Sequence, residues 1–179
     1  ILDVLQENIE KLELPLRTIE DEWGPGQCEF TFDPREGLQA ADNLLLFRTA
    51  VKQICRRNEL HASFMTRPGL PNFFSSGWHL HQSIFDKTKE KNLFVNYSDS
   101  TEPLSDLGMH FIGGILDNTK AATAFSTPTI NGYKRYAPNS FAPNHINWAS
   151  EHRGALIRVL GGPNDPATHI ENRAGEPCA

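Results

Sequence analysis

The sequence predicts an α+β domain. Two long stretches, Ala40–Arg57 and Ser105–Phe125, repeat apolar residues three and four positions apart, which indicates amphipathic helices. Short segments of alternating polar and apolar residues surround them and indicate strands. Apolar residues are 39% and charged residues 22% of the 179 residues, so a disordered chain is excluded and a folded core is expected.

Charge and composition limit the classes of function. The net charge of -5 argues against a nucleic-acid partner. No apolar run approaches the length of a membrane span, and residues 1–20 carry acids without the apolar stretch of a secretion signal. The spacing of Cys28, Cys55 and Cys178 suggests neither a metal site nor a disulfide pair. We therefore expect reduced thiols in a cytoplasmic protein without a membrane partner.

The first elements are a helix and two strands. Residues 1–12 place leucine and isoleucine on one helix face, and Pro15 ends this run. Strands are predicted at Leu16–Ile19 and at Cys28–Phe32. Glu29 lies in the second strand, on the face opposite its aromatic residues. A solvated acidic edge is the alternative to a ligand role for this side chain.

The helix at Ala40–Arg57 carries a clear apolar stripe and is interpreted as core packing. A short strand is predicted at Ala62–Met65, followed by a loop at Pro68–Phe74. The stripe consists of Leu44, Phe47, Val51 and Ile54.

A fourth strand is predicted at Ser76–Ser83, extended by two apolar residues and ended by Asp86. Alternation along a strand places His79, His81 and Ser83 on one face. Two imidazoles beside a hydroxyl could bind a metal or a phosphate. The alternative is a pair of ordinary hydrogen-bonded histidines.

The second long helix, Ser105–Phe125, begins with a capping serine, and Pro128 ends the segment. Gly113 and Gly114 lie in its middle, where each glycine costs about 1 kcal/mol relative to alanine, so close helix packing is expected there. The predicted core face consists of Leu107, Phe111 and Ile115.

The last third of the chain contains two further predicted strands, Ala155–Leu160 and Thr168–Arg173. In the second of them His169, Glu171 and Arg173 share a face. Arginine side chains suit phosphate and carboxylate groups, although surface arginines in loose ion pairs are the alternative.

Carboxylates, imidazoles and guanidinium groups together suggest phosphoryl transfer assisted by a divalent cation. Oxygen ligands with one histidine suit Mg²⁺ or Mn²⁺ better than structural zinc. Arginines around such a cation neutralise phosphate charge. The sequence has neither the P-loop nor the dinucleotide-binding glycine motif. The candidates are Glu22, Glu29, His79, His81, Arg135, Arg153, Arg158, Glu171 and Arg173.

Several motifs occur in a fixed order from Glu22 onward. They are Glu22-x-x-Pro25-Gly26-Gln27-x-Glu29, Ala41-Asp42-Asn43, Phe64-Met65, Ser76-Gly77-x-His79-x-His81-x-Ser83, Asn131-x-Tyr133-Lys134-Arg135, Ala142-Pro143, Arg153-x-x-x-x-Arg158 and Ile170-Glu171-x-Arg173. In these motifs and their order the chain resembles the glutamine synthetase superfamily.

The resemblance implies a fold and a reaction. The fold is a catalytic domain whose curved antiparallel sheet surrounds the active site, with helices outside. In the reaction ATP phosphorylates the γ-carboxylate of glutamate, and an amine then displaces the phosphate to form an amide. It also implies a homo-oligomer of two stacked rings of six subunits, a dodecamer in the complete protein.

The resemblance also implies a role for each matching residue. The ligands of the two Mg²⁺ or Mn²⁺ ions would be Glu22 with Glu29, and His79 with Glu171. The ATP-binding residues would be His81, Ser83, Arg153 and Arg158. The catalytic residues would be Arg135, Arg153 and Arg158, and the substrate-binding residues would be Arg135, Arg173, Ser75 and Phe141.

Two departures concern the extent of the chain and the acid substrate. We expect residues 1–179 to be part of one catalytic domain, without the small N-terminal domain, the first metal-carboxylate strand and the C-terminal part. Such a piece should be inactive alone. The family's Asn-Gly pair before the Ser-Gly-x-His motif is replaced by Phe74-Ser75, so the identity of the acid substrate stays open.

The third departure concerns the amine. Synthetases that use ammonia carry an acidic residue before the Ala-Pro pair, where this chain has Phe141. A phenyl ring can neither attract ammonium nor accept its proton, so we expect an organic amine, aromatic or alkyl. The alternatives are a true glutamine synthetase, a non-catalytic structural or sensing paralogue and, least favoured, a phosphotransferase to guanidino compounds.

Overall fold

A computed structural model describes residues 1–98, 101–138 and 140–178, and these divide into two compact units. The first unit consists of Ile1–Phe64 and Pro68–Phe74. The second consists of Met65–Arg67 and the described residues from Ser75 onward. Helices and strands occur in both, so the fold is α+β, as predicted.

The first unit is a two-stranded ribbon with two helices. Helix α1 spans Leu2–Lys11 and helix α2 spans Gly37–Arg57. Strands β1 (Leu16–Asp21) and β2 (Cys28–Phe32) pair antiparallel, and α1 packs on α2 and on β1. The two helices and two strands predicted within residues 1–57 are confirmed, with β1 two residues longer and α2 beginning three residues earlier than expected.

Phe47 on α2 is the centre of the core of the first unit. Its ring lies 5.0 Å from the rings of Phe30 and Phe32 and 6.0 Å from that of Phe64. The predicted strand at Ala62–Met65 is wrong, because these residues belong to no strand. The side chain of Phe64 packs on Phe47 and lies beneath the Arg48 cation instead of on a neighbouring strand.

The second unit contains a four-stranded sheet in the order β3–β6–β5–β4. The strands are β3 (Leu80–Gln82), β4 (Trp148–Ser150), β5 (Ile157–Leu160) and β6 (His169–Asn172). Strands β3, β6 and β5 pair antiparallel, whereas β4 runs parallel to β5. The sheet is therefore mixed. The parallel pair is possible because a three-residue strand is only about 10 Å long, a span over which residues 151–156 can return.

Three of the predicted strands are shorter than expected, one of them because β6 spans His169–Asn172 instead of Thr168–Arg173, and one strand was missed. The histidine strand is limited to Leu80–Gln82, with His79 just before it and Ser83 just after it. The strand predicted at Ala155–Leu160 begins at Ile157. β4 was not predicted, because three residues are too few for an alternation pattern.

Helix α3 (Asp106–Ser126) covers the sheet and contributes to its core. The Ser105 cap is confirmed, since its hydroxyl accepts from the backbone N–H of Gly108 at 3.2 Å. The predicted core face is partly wrong: Ile112 is 1% exposed, whereas Leu107 is 45% exposed. Because α3 carries apolar residues on more than one face, the sequence alone could not identify the face that is buried.

The close packing expected at Gly113 and Gly114 is also wrong. A Cβ atom at either position would meet no atom of the described residues within 4 Å. A four-residue helix, α4 (Ile130–Tyr133), follows α3 and was not predicted. Among the described ranges, no helix combines the length and the apolar character that crossing a membrane requires.

Candidate active site

Glu171 on β6 is the centre of a buried charged cluster in the second unit. In the strand register it lies beside His81 of β3 and Arg158 of β5. Cross-strand neighbours point to the same face of a sheet, so three separate stretches of sequence meet here. We call this group the Glu171 cluster; its members are His79, His81, Arg135, Arg158, Glu171 and Arg173.

The Glu171 carboxylate is held by N–H groups. Its Oε1 atom lies 2.6 Å from Arg173 Nη1 and 2.9 Å from His79 Nδ1, and its Oε2 atom lies 3.5 Å from Arg158 Nη1. Burial alone would raise the pKa of Glu171, but the hydrogen bond from His79 and the Arg173 charge outweigh it and lower the pKa to about 2. The carboxylate is therefore ionised at neutral pH.

The histidines of the cluster are neutral at pH 7. Burial lowers the pKa of His79 and of His81 below the ordinary value of 6.5, despite the attraction of Glu171. Neutral imidazole is the form that ligates metal ions.

Arg135 lies beneath His79 and is itself 4% exposed. Its terminal nitrogens donate to the backbone carbonyls of residues 173–175 and to His79 Nε2 at 3.1 Å. A Cβ atom on Gly77 would collide with His79 and Arg135, so this hydrogen bond requires glycine at position 77. A direct bond from Arg135 to a substrate would require one of these acceptors to be given up.

Two buried N–H groups of the cluster have no hydrogen-bond partner among the described residues. They are the Nε groups of Arg158 and Arg173. Burial and the nearby charges of Arg158 and Arg153 lower the pKa of Arg173, against the pull of Glu171. Unsatisfied cationic donors fit an anionic oxygen such as that of a phosphoryl group.

Phe141 is attached to the cluster through its backbone. Its carbonyl accepts from Arg173 Nη2 at 3.2 Å, while the side chain leaves the residue 70% exposed. Its φ of 56° is in the left-handed region, which disfavours side chains other than glycine by about 1 kcal/mol or more. The backbone of Phe141 therefore lies against Arg173, while its phenyl ring is exposed.

The other predicted site residues are not members of the Glu171 cluster. Ser75 accepts from Arg67 Nη1 at 3.3 Å, Ser83 follows β3, and Arg153 is exposed in the turn before β5. Glu22 and Glu29 belong to the first unit, on one face of the β1–β2 ribbon with Glu20 directly opposite Glu29. Like charges opposite each other destabilise a strand pair, and a bound cation would relieve this.

The donor chemistry fits a divalent cation. One carboxylate with two imidazole nitrogens suits a transition-metal ion such as Mn²⁺, whereas Mg²⁺ would need further oxygen ligands beside Glu171. Within the described part of the chain, however, no three His, Cys, Asp or Glu side chains already form a metal-binding group. N–H groups of His79 and Arg173 hold the Glu171 oxygen that a cation would bind.

Sequence reasoning missed three residues that support the cluster. Nε2 of His169 lies 3.0 Å from Nδ1 of His81, and Oε2 of Glu151 lies 2.8 Å from Nη2 of Arg158. The third residue, Glu176, is buried. The side chain of Glu176 accepts from Thr66 and from the backbone and hydroxyl of Thr129. Alternation along β6 predicts that His169 shares a face with Glu171. Which residue His169 contacts depends on the register between β6 and β3, which the sequence does not give.

The motif order and this geometry agree with comparisons to known proteins. The family model described as glutamine synthetase, catalytic domain, matches residues 1–179. The chain belongs to the glutamine synthetase catalytic-domain family. This confirms the resemblance inferred from the motifs.

Individual relatives differ in the reaction that their names describe. The chain is 49% identical to a gamma-glutamylanilide synthase of an Acinetobacter species, a match covering 100% of this chain and 36% of the relative. It is 40% identical to a glutamine synthetase of Pyrococcus furiosus, covering 88% of this chain and 34% of the relative. It is 36% identical to a glutamine synthetase of Clostridium saccharobutylicum, a match covering 96% of this chain and 38% of the relative. The chain thus spans about a third of the length of these relatives.

Proposed function

We propose that the protein containing this chain is an ATP-dependent ligase that joins the γ-carboxylate of glutamate to an organic amine. The observation that carries the proposal is Phe141, whose backbone carbonyl accepts from Arg173 and whose exposed phenyl ring occupies the position where ammonia-using synthetases carry an acid. Support comes from the 49% identical relative named gamma-glutamylanilide synthase.

The reaction has two steps. An oxygen of the glutamate γ-carboxylate attacks the γ-phosphorus of ATP, and ADP leaves. The amine nitrogen then attacks the acyl carbon of the γ-glutamyl phosphate, inorganic phosphate leaves, and the nitrogen loses a proton. Two Mg²⁺ or Mn²⁺ ions, when bound, would supply positive charge to the phosphate oxygens.

The arginines provide the remaining positive charge. The Nε groups of Arg158 and Arg173 are buried donors that fit oxygens of the transferring phosphoryl group. Arg153, in the exposed turn before β5, would add its positive charge. His81 and Ser83 would bind ATP. Arg135 would act from within the cluster by fixing His79, and Ser75 would lie on the glutamate side.

The cation ligands are assigned by unit. In the second unit Glu171 and His79 would hold one ion, and the tight contact between them would open for it. In the first unit Glu22 and Glu29 would hold the other, since both lie on one face of the ribbon.

The amine class follows from the chemistry at position 141. Ammonium must be attracted as a cation and must lose a proton before it can attack, and a carboxylate serves both needs. An arylamine is already neutral at pH 7, and its ring can pack against a phenyl group. The phenyl side chain therefore favours an organic amine over ammonia.

The fold and assembly are part of the same proposal. We take the sheet of the second unit as a portion of the curved sheet that surrounds the active site of a single catalytic domain. The complete protein would be a homo-oligomer of two stacked six-membered rings.

A substitution at Phe141 tests the amine class. In the complete protein Phe141→Glu should raise kcat/KM for ammonium by about 10-fold and lower it for aniline by a similar factor, the scale of one pocket contact. Phe141→Gln, which is polar but cannot accept the proton, should lose aniline use without gaining ammonium use. Phe125→Glu, an exposed change on α3, should leave both values near wild type. Unchanged ammonium use in Phe141→Glu would contradict the proposal.

A further inference from the structure

His169 has no role in the reaction described above, although it lies directly against a site residue. It begins β6, and its Nε2 atom is 3.0 Å from Nδ1 of His81. The ring centroids are 5.1 Å apart and the ring planes are inclined by 46°. The two rings therefore meet through their nitrogens rather than by stacking face to face.

The backbone determines which nitrogen of His169 carries the proton. Nδ1 of His169 lies 2.7 Å from the carbonyl oxygen of Ala167. A carbonyl oxygen only accepts, so Nδ1 must be the N–H group. In neutral His169 the Nε2 atom is then a lone-pair acceptor facing His81.

The same reasoning extends to His81. Because His169 Nε2 accepts, Nδ1 of His81 must donate, and Nε2 of neutral His81 is left with a lone pair. This nitrogen lies 3.8 Å from Oε1 of Glu171. Neither of these two atoms can donate to the other, so a cation between them, in place of one of the N–H groups that Oε1 now accepts, would be bound by both.

His79 is the same Nδ1–H tautomer, but the nitrogen that it turns to Glu171 is the one that carries the proton, so it can bind a cation there only after that proton leaves. A guanidinium group only donates, so the 3.1 Å contact with Arg135 makes Nε2 of His79 the acceptor. Its Nδ1–H group consequently points to Oε1 of Glu171 at 2.9 Å. Of the two imidazoles, His81 is the one that already presents a free lone pair.

We propose that His169 is a positioning residue, which fixes His81 in the tautomer whose Nε2 atom, with Glu171, binds a divalent cation. The proposal rests on the proposed function for the presence of that cation. It adds His81 as a ligand and gives His169 a role in setting its tautomer. Bonds of about 2.1 Å from one cation can reach both atoms across the 3.8 Å gap.

Two variants of His169 separate its two hydrogen bonds. His169→Gln places an amide oxygen near the position of Nε2 and can still accept from His81. His169→Asn places its amide near the position of Nδ1, so it can donate to Ala167 but leaves His81 without an acceptor. Mn²⁺ is the probe, in the complete protein, because its affinity and its coupling to imidazole ¹⁴N can both be measured by electron paramagnetic resonance.

His169→Asn should weaken Mn²⁺ binding by about 10-fold or more, as loss of an outer-shell partner does, and should reduce the imidazole ¹⁴N modulation. His169→Gln should keep both close to wild type. The carboxylates Glu22 and Glu29 contribute no imidazole, so the nitrogen signal reports the ion at Glu171.

Wild-type affinity and ¹⁴N modulation in His169→Asn would overturn the inference. A wild-type protein that binds no Mn²⁺ would overturn both this inference and the proposed cation chemistry. A Mn²⁺ site that depends on His169, in a protein that releases no ADP with any amine, would support the inference and reject only the proposed reaction.

Discussion

Glu171 sets the electrostatics of the second unit. It is 3% exposed, yet its carboxylate is ionised because Arg173, Arg158 and His79 direct N–H groups at it. Removing one partner of a buried ion pair leaves the other charge uncompensated, which commonly costs 3–5 kcal/mol. The cluster is therefore a candidate site whose disruption should destabilise the fold.

The pH dependence of stability should report this ionisation. The pKa of Glu171 is lowered in the folded chain from 4.5 to about 2, so the carboxylate stabilises the fold above pH 4.5 and loses that effect as the pH falls toward 2. His79 and His81 act in the same direction below pH 6.5, since burial lowers their pKa values. Stability should therefore fall continuously on acidification from about pH 6.5.

Glu171→Gln should be less stable than wild type at pH 7 by about 3 kcal/mol, and the difference should shrink between pH 5 and pH 2. Urea unfolding across this range measures it. Glu151→Gln is the matched control, because Glu151 pairs with the same Arg158 from an exposed position where such a pair contributes at most about 1 kcal/mol. A Glu171→Gln deficit that is independent of pH would show that the carboxylate charge is not responsible.

At the scale of elements, alternation along each strand predicted the faces correctly but not the neighbours. The shared face of Glu171 and Arg173 is visible in the sequence, and a 2.6 Å contact joins them. The position of His81 beside Glu171 depends on β3 pairing with β6 in one register. Register is decided by long-range pairing and packing, so a single strand pattern cannot specify it.

Sequence patterns failed where an element is short or has more than one apolar face. β4 and α4 have three and four residues, which is below one period of any reliable pattern. In α3 the residues Phe111 and Ile112 are both apolar, so the sequence does not show which face is buried. Packing against the sheet decides it. The predicted site residues of each unit could be named from motifs, whereas their contacts could not.

Glycines in two helices should respond oppositely to alanine. A Cβ atom at Gly132 of α4 would collide with the buried Glu176 carboxylate, which three hydrogen bonds from Thr66 and Thr129 hold in place. Gly132→Ala should destabilise the protein by about 1–3 kcal/mol. Gly113→Ala in α3 meets open space and should stabilise it by up to about 1 kcal/mol. Thermal or urea unfolding of both variants is the test, and equal stabilities would contradict the packing described here.

At the scale of the whole molecule, the chain belongs to the glutamine synthetase catalytic-domain family. Its second unit contains the Glu171 cluster, and its first unit contains the acidic β1–β2 ribbon. Because it spans about a third of the relatives, assays of activity belong to the complete protein. Under the proposed function, its arginines and carboxylates would serve the same phosphoryl chemistry as in glutamine synthesis, and the difference would lie at Phe141, the residue proposed to meet the amine.

The most direct test is ADP release by the complete protein with Mg²⁺, ATP and glutamate, comparing ammonium with arylamines, alkylamines and polyamines. The account predicts ADP release with an organic amine at a kcat/KM well above that for ammonium. ADP release with ammonium alone would contradict the assignment of Phe141 and make the protein a glutamine synthetase. No release with any amine, from a protein that still binds ATP, would contradict the ligase itself and favour a non-catalytic role.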